Sequence, residues 1–187
     1  MKIFKLALRL FIVAGMAGAI LGAAHAVTEK PIAEQQKKAN SEAMKLILPK
    51  AEQFNKLEIS PKGDVIEVNE GKSSEKTEGY AIKVTPKGYA GAITMMVGVS
   101  TDGKVQGIKI LSHSETPGLG ANATEPAFSD QYKDKATDKA LEVVKRPVAS
   151  ENEIQAITGS TITSKAVTKG VNEAVEYYKS ELKGGQK

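Results

Sequence analysis

Residues 93–110 read ITMMVGVSTDGKVQGIKI, two apolar runs joined by a polar turn. Every second residue from Ile93 to Val99 is apolar, which is the period of a β-strand. The turn contains Asp102-Gly103, and glycine accepts the positive φ that a tight hairpin needs. The stretch therefore predicts an antiparallel hairpin in which Val105 to Ile110 forms the returning strand.

Further strands are predicted on both sides of this hairpin. Val65 to Val68 is a short strand-like run, and apolar residues alternate with polar ones from Tyr80 to Val84. Leu141 to Val144 predicts another strand, and Ala127 to Lys133 a short helix. Residues 50–62 are interpreted as an irregular connection.

The clearest helical pattern lies near the C-terminus. Its apolar residues recur every three or four positions, at Val167, Val171, Ala174, Val175, Tyr178 and Leu182. This period predicts an amphipathic helix packed on a sheet, ended by Gly184-Gly185. A second pattern starts at Pro31, which suits the first turn of a helix, and runs to Pro49. The fold class expected is α+β, a small and mostly antiparallel sheet packed by helices.

An apolar stretch precedes this domain. Leu10 to Val27 contains no charged residue and is about the shortest run that crosses a hydrocarbon core as a helix. Lys2, Lys5 and Arg9 come before it and predict a cytoplasmic N-terminus. Ala24-His25-Ala26 resembles a signal-peptidase site, so the residues alone leave open a retained transmembrane helix or a cleaved leader. Both alternatives place the bulk of the chain outside the cytoplasm.

Composition excludes several classes of function. Lys2, Lys5 and Arg9 supply three of the 26 Lys and Arg residues, so the remainder carries 23 cations against 22 Asp and Glu. A nearly neutral domain argues against nucleic-acid binding. The absence of cysteine excludes cysteine-ligated iron–sulfur clusters, and two histidines argue against a multi-histidine metal site. Any redox chemistry must therefore use an organic cofactor.

Thr158 to Lys165 reads TGSTITSK and stands where the C-terminal helix begins. The first N–H groups of a helix lack internal partners and carry partial positive charge, so hydroxyls and glycine there suit a bound anion. Lys165 and Lys169, one turn apart, can add positive charge. Taken alone, the segment is more simply explained by Thr158 or Thr161 as a helix cap.

A second polar segment, Ser112 to Gly120, reads SHSETPGLG and is predicted to be a loop. Gly118 and Gly120 allow the backbone to approach a ligand closely. His113 and Glu115 share a face if the strand continues, and such a pair serves acid–base chemistry or forms a simple hydrogen bond. The chain has no nucleophile elbow, Walker A motif or dinucleotide-binding glycine pattern.

Four segments occur in an order that resembles a known family: Gly88 to Ile93, Asp102-Gly103, His113 to Gly120, and Thr158 to Ser164. The series resembles the FMN-binding G subunit of the Rnf electron-transport complex. A sister family is the C subunit of the sodium-pumping NADH:quinone reductase. The resemblance covers nearly the whole chain, including the N-terminal apolar stretch.

This resemblance implies a covalent cofactor. In the family a flavin transferase uses FAD to join FMN, through its phosphate, to a threonine hydroxyl, and the matching residue here is Thr161. The other cofactor-binding residues implied are Thr158, Gly159, Ser160, Ile162, Thr163, Ser164, His113, Glu115, Thr116, Leu119 and Gly120. Of these, Glu115, Thr116, Leu119 and Gly120 are expected beside the flavin ring. No metal and no acid–base catalytic residue is implied.

Two positions depart from the family pattern. Ser160 stands where the family usually has alanine before the modified threonine, and Gln155 stands where an acidic residue is common. The serine is a small change that should preserve backbone geometry. The glutamine could weaken recognition by the transferase.

The resemblance implies a membrane-anchored electron relay in an assembly that oxidises ferredoxin, reduces NAD and moves sodium ions or protons. Expected partners are the other proteins of the complex, the flavin transferase and the membrane, with no nucleic acid. Residues 1–27 would be an uncleaved anchor, 28–62 a helical connection, and 63–187 the FMN-binding domain outside the cytoplasm. Two alternatives remain from the sequence: the quinone reductase component or a free-standing flavoprotein, and a secreted anion-binding module without redox function.

Overall fold

The computed structural model describes residues 2–74 and 76–183. The chain divides into two units, Met1–Asn40 and Ser41–Lys187. The first helix, α1, spans Lys2–Ile47 and so belongs to both units. The predicted helix end at Gly184-Gly185 lies outside the described residues.

In the first unit, α1 exposes large apolar side chains along much of its length. One stretch of this helix is long and apolar enough to cross a membrane. A stretch of this length and composition fits association with a membrane. The predicted helix start at Pro31 is wrong, because Pro31 lies inside α1. Proline lacks a backbone N–H and so costs the helix one hydrogen bond, yet α1 continues through Pro31.

In the second unit, five antiparallel strands form a sheet in sequence order. The strands are β1 (Gln53–Leu57), β2 (Val65–Ser73), β3 (Lys76–Val84), β4 (Thr94–Ser100) and β5 (Val105–Ser112). The predicted hairpin of β4 and β5 is confirmed, with Val97 opposite Ile108. Gly103 has φ +85° in the connecting turn, as the Asp-Gly pair predicted.

The prediction of an irregular connection over residues 50–62 is wrong, because β1 lies within it. Gln53 of β1 pairs with Lys72, and Leu57 pairs with Val68. The strand lies at the edge of the sheet and its residues are exposed or half-buried. Its hydrogen bonds to β2 and the packing of Phe54 and Leu57 hold it in place, and two apolar residues three positions apart do not make the alternating pattern of a strand.

Helices cover both faces of the sheet. The helix α3 (Thr161–Tyr177) continues into a π turn (Tyr178–Leu182), and its apolar stripe is buried with one face of the sheet, as predicted. On the other face, Ala43 and Ile47 at the end of α1 pack with Met96. Gly98 permits this contact, because a Cβ there would lie 2.7 Å from the Ile47 carbonyl oxygen. The expected α+β fold is confirmed.

Short elements connect β5 to α3. A 3₁₀ turn (Gly120–Thr124) lies within the predicted loop, and the predicted short helix is formed by α2 (Pro126–Ser129) with a second 3₁₀ turn (Asp130–Tyr132). The predicted strand near Leu141 is confirmed as β6 (Glu142–Val144), which pairs in parallel with β7 (Glu153–Gln155).

Candidate functional site

A cavity of about 700 Å³ opens at the N-terminal end of α3. This volume lies within the range of about 300–1,000 Å³ that is typical of small-molecule sites. The lining consists of Tyr89, Glu115, Thr116, Leu119, Gly120, Lys145, Gln155, Ala156, Ile157, Thr158, Gly159, Ser160, Thr161, Ile162 and Thr163. Segments from four parts of the chain therefore meet at one helix end.

Several hydroxyl groups lie in the first turn of α3 and in the residues just before it. Thr158 is exposed and Thr161, the first residue of α3, is half-buried. Thr163 is buried and donates a hydrogen bond to Glu115. Ser164 is buried, donates to the Ser160 carbonyl oxygen and accepts from the Ile157 N–H. Within this segment, Thr158 and Thr161 thus present the hydroxyls that a ligand can reach.

The helix end has the properties of an anion site. Ser160 is the N-cap residue of α3, yet it makes no side-chain capping hydrogen bond, and the first turn contains no acidic residue. The Ser160 hydroxyl is buried and has no partner among the described residues. Gly159, with φ +76°, turns the chain into the helix. Unsatisfied N–H groups, a buried orphan hydroxyl and the helix dipole all favour an anion here.

Another part of the cavity lining comes from the β6–β7 region. Lys145 directly follows β6 and contributes a positive charge to the lining. Next to it, the Arg146 guanidinium donates two hydrogen bonds to Glu153, at 2.6 and 2.9 Å. This bidentate contact lowers the pKa of the Glu153 carboxyl, which also accepts from the Ala149 N–H. The ion pair of Arg146 and Glu153, called the clasp below, therefore closes the loop that carries Lys145.

The end of β7 is held by the side-chain amide of Gln131. The Gln131 side chain accepts from the Gln155 N–H at 2.7 Å and donates to the Gln155 carbonyl oxygen at 3.2 Å. This pair of bonds fixes the backbone at Gln155 and leaves its side chain exposed at the cavity.

Large apolar side chains surround the cavity opening. Tyr89 is 69% exposed, Leu119 45% and Ile162 57%, and all three belong to the lining. Apolar side chains grouped at a cavity are a common sign of a ligand or partner surface. Together with the anion-binding helix end, these apolar side chains suit a ligand that has a negatively charged group and a flat apolar part.

The structure brings most of the implied site residues together. Ten of the twelve line the cavity: Glu115, Thr116, Leu119, Gly120, Thr158, Gly159, Ser160, Thr161, Ile162 and Thr163. His113 and Ser164 are not in the lining. The strand ends before His113, whose Nδ1 accepts from the Glu115 N–H at 3.1 Å instead of meeting the Glu115 carboxylate. Glu115 is buried and bonded to protein groups.

The two lysines expected at the anion site are placed elsewhere. Lys169 pairs with Asp64 at 2.7 Å and with Glu173 at 2.9 Å, and these contacts raise its pKa. Lys165 is exposed and is absent from the lining. The sequence did not indicate Lys145, although its position just after a predicted strand is where loop residues often reach a site. Tyr89 and Gln155 belong to sequence motifs that do not by themselves indicate a cavity.

Comparisons with known proteins show an FMN-binding domain in this part of the chain. The family model of the FMN-binding domain matches residues 88–176. The G subunit of the proton-translocating ferredoxin:NAD⁺ oxidoreductase complex of Clostridium ljungdahlii is 44% identical over 175 residues, covering 94% of this chain and 91% of that protein. The G subunit of the Na⁺-translocating ferredoxin:NAD⁺ oxidoreductase complex of Acetobacterium woodii is 39% identical over 192 residues, covering 95% and 92%.

The chain belongs to the Rnf G-subunit family. Solved structures from the sister family share its fold. The C subunit of the Na⁺-translocating NADH-quinone reductase of Parabacteroides distasonis aligns with a TM-score of 0.58 at 20% identity, over 78% of this chain and 92% of that one. NqrC of Shewanella oneidensis aligns with a TM-score of 0.55 at 21% identity, over 69% and 67%. Sequence identity assigns the chain to the Rnf family rather than to its sister, and the apolar helix fits association with a membrane.

Proposed function

We propose that this chain is a membrane-anchored flavoprotein that relays electrons through FMN attached to Thr161. Its assembly would be an ion-translocating complex that oxidises ferredoxin and reduces NAD⁺. The observation that carries the proposal is the accessible Thr161 hydroxyl at a helix end that favours an anion, beside an apolar rim. Family membership supports it, since the relatives are components of such complexes by name.

The attachment reaction needs FAD and a flavin transferase as partners. The Thr161 Oγ would form a new bond to the phosphorus of the FMN half of FAD. The pyrophosphate bond of FAD breaks, AMP leaves, and the hydroxyl proton is lost to a base of the transferase or to solvent. No change of oxidation state is involved.

Hydrogen bonding within the segment favours Thr161 as the acceptor. Thr163 and Ser164 are buried and already donate to protein groups, and the Ser160 hydroxyl is buried. Thr158 is accessible but precedes the helix, whereas Thr161 lies in its first turn. A phosphate on Thr161 would be adjacent to the unpaired N–H groups, which stabilise its remaining negative charge.

The other lining residues would bind and orient the cofactor. The Ser160 hydroxyl and the first N–H groups of α3 suit the phosphate, and Lys145 adds positive charge. Tyr89, Leu119 and Ile162 offer apolar surface to the ring and limit its contact with water. When bound, FMN supplies the electron-transfer chemistry, and the chain supplies position and electrostatics.

Membrane attachment would hold this chemistry beside its partners. The first unit contains the apolar helix, and Lys2, Lys5 and Arg9 at its start predict a cytoplasmic N-terminus. The domain would then lie on the extracytoplasmic side. Tethering raises the effective concentration of the flavin for neighbouring proteins of the complex, and the covalent bond prevents its loss.

The test is co-expression of the full chain with a flavin transferase, followed by intact mass measurement and in-gel flavin fluorescence. The wild-type chain and Thr161→Ser should gain the mass of one FMN less water and remain fluorescent after denaturation. Thr161→Ala should gain none, and Thr158→Ala, a second accessible hydroxyl in the same cavity, should behave as wild type. Flavin retained on Thr161→Ala would contradict the site. A colourless wild-type chain cleaved after Ala26 would instead support a secreted module.

A further inference from the structure

Glu115 has a buried carboxylate on an otherwise exposed loop. Its side chain is only 5% exposed, while Thr116 to Leu119, which follow it, are exposed. An ionised carboxylate is expensive to bury unless hydrogen bonds compensate for the lost water. The hydrogen-bond partners of the Glu115 carboxylate therefore indicate its role.

The two carboxylate oxygens contact two separate parts of the cavity wall. Oε1 accepts a hydrogen bond from the Ala90 N–H at 2.9 Å, and Oε2 accepts from the Thr163 hydroxyl at 2.5 Å. Ala90 lies in a turn closed by the bond from the Gly88 N–H to the Gly91 carbonyl oxygen. Thr163 lies in the first turn of α3. One side chain thus joins three segments that are distant in sequence.

Two glycines make room for this carboxylate. A Cβ at Gly88 would lie 2.5 Å from Oε1, and a Cβ at Gly120 would lie 2.6 Å from Oε2. Neither distance is sterically tolerable, so larger residues at either position would displace the Glu115 side chain. Contact with Glu115 therefore explains the need for glycine at positions 88 and 120.

The first turn of α3 is restrained by two sets of contacts. The N-cap residue Ser160 makes no capping hydrogen bond, and the local restraint comes from the Ser164 hydroxyl, which donates to the Ser160 carbonyl oxygen and accepts from the Ile157 N–H. The bond from Thr163 to Glu115 supplies a restraint from another part of the chain. Thr163 lies two residues after Thr161, and the two residues share one helical turn.

We infer that Glu115 is a positioning residue: its bonds to Ala90 and Thr163 hold the first turn of α3 so that Thr161 faces the cavity for flavin attachment. The inference rests on the proposed function. It assigns Glu115 to the wall behind the attachment site, whereas the family resemblance implies a place beside the flavin ring.

The test compares Thr163→Val with Thr163→Ser in the full chain, with purified transferase and FAD. Valine keeps the volume of threonine without its hydroxyl, and serine keeps the hydroxyl. We expect attachment to Thr163→Val to be about tenfold slower, the scale of losing one hydrogen bond to a charged group. Thr163→Ser should restore most of the rate. The attached flavin of Thr163→Val should also show a weaker visible circular-dichroism band, because its site is less ordered.

Two further variants separate positioning from general stability. Thr168→Val removes a buried hydroxyl from the same helix, outside the cavity, and should load at the wild-type rate. Glu115→Gln keeps the shape and can still accept from Ala90, but its NH₂ group cannot accept from Thr163, so it should resemble Thr163→Val. Equal slowing by Thr163→Val and Thr168→Val would overturn the inference. So would wild-type rates and spectra for both Thr163→Val and Glu115→Gln. A wild-type chain that never loads flavin would overturn the proposed function instead.

Discussion

The five-stranded sheet and the wall of the cavity are built in different ways. Each strand of the sheet pairs with its neighbour in sequence, and buried apolar side chains fill the space between the sheet and α3. The wall joins segments far apart in sequence, and polar contacts hold them: Glu115 with Thr163 and Gln131 with the Gln155 backbone. A third polar contact, between Arg146 and Glu153, closes a loop within the wall. Substitutions in the sheet should therefore mainly change the free energy of unfolding, whereas substitutions in the cavity wall should mainly change the rate of flavin attachment.

The largest loss of stability is expected for a core truncation in the sheet. Ile82 of β3 is fully buried in the cluster that includes α3. Ile82→Ala should lower the free energy of unfolding by about 2–5 kcal/mol, because it removes apolar contacts and leaves a cavity. Chemical denaturation of the full chain in detergent measures this loss. The molecules that remain folded should still attach flavin at the wild-type rate. Slower attachment in these folded molecules would contradict the claim that the sheet determines stability and the wall determines flavin attachment.

A smaller loss of stability is expected when the buried hydrogen bond between Tyr132 and Thr168 is removed. The Tyr132 hydroxyl and the Thr168 Oγ lie 2.7 Å apart, and burial raises the pKa of Tyr132, so the hydroxyl stays protonated. Tyr132→Phe should cost about 1 kcal/mol, the usual net contribution of one hydrogen bond. The Thr168 hydroxyl keeps its bond to the Ser164 carbonyl oxygen, which limits the loss. Denaturation of Tyr132→Phe with and without Thr168→Val measures the coupling, and additive effects would contradict it.

The difference between the sheet and the cavity wall also explains what the sequence could predict. The hairpin and α3 were predictable because each repeats one local pattern. Apolar residues alternate around Asp102-Gly103 in β4 and β5, and they recur every three or four positions in α3. The α+β class followed from them. The order of the motifs indicated that the segment at the start of α3 and the loop containing Glu115 belong to one cofactor site. The structure places both segments around one cavity.

What the sequence missed depends on contacts between distant residues. β7 has only three residues and exists through its pairing with β6, so it carries no period of its own. The partner of Glu115 lies 48 residues away, and no local pattern shows that its carboxylate points into the protein. Lys145 lies in the cavity lining, in a loop that the clasp of Arg146 and Glu153 closes, and spacing alone reveals neither feature.

The clasp should respond to acid without unfolding the sheet. Arg146 lowers the pKa of Glu153, so this contact stabilises the loop above the ordinary glutamate pKa of about 4.3 and is lost as pH falls through the lower folded value. The Ala149 amide, which donates to Glu153, should then exchange its hydrogen faster relative to its intrinsic rate. Hydrogen exchange of the full chain measures this. Arg146→Gln should show fast exchange already at neutral pH, and equal protection in both chains at every pH would contradict the clasp.

The smallest effect on stability is expected for Lys145, which is exposed. Lys145→Ala should leave the free energy of unfolding within about 0.5 kcal/mol of wild type, as for most surface changes. It should slow flavin attachment several-fold at low salt and less at high salt, because ions screen its charge. Lys165→Ala, an exposed lysine outside the cavity lining, is the matched control. Equal rates for the two variants would show that Lys145 contributes nothing particular to the site.

The edge strand β1 has a consequence for how copies of this protein coexist in a crowded membrane. A strand at the edge of a sheet presents backbone groups to which a strand of another molecule can add, which is a route to aggregation. β1 is short, and Gln53, Asn55 and the ion-paired Lys56 are exposed along it. Charge and short length discourage such pairing, because a neighbouring strand would have to cover Lys56. The polar residues of β1, which gave this strand no apolar alternation, thus also help to prevent the sheet from pairing edge to edge with the sheet of another molecule.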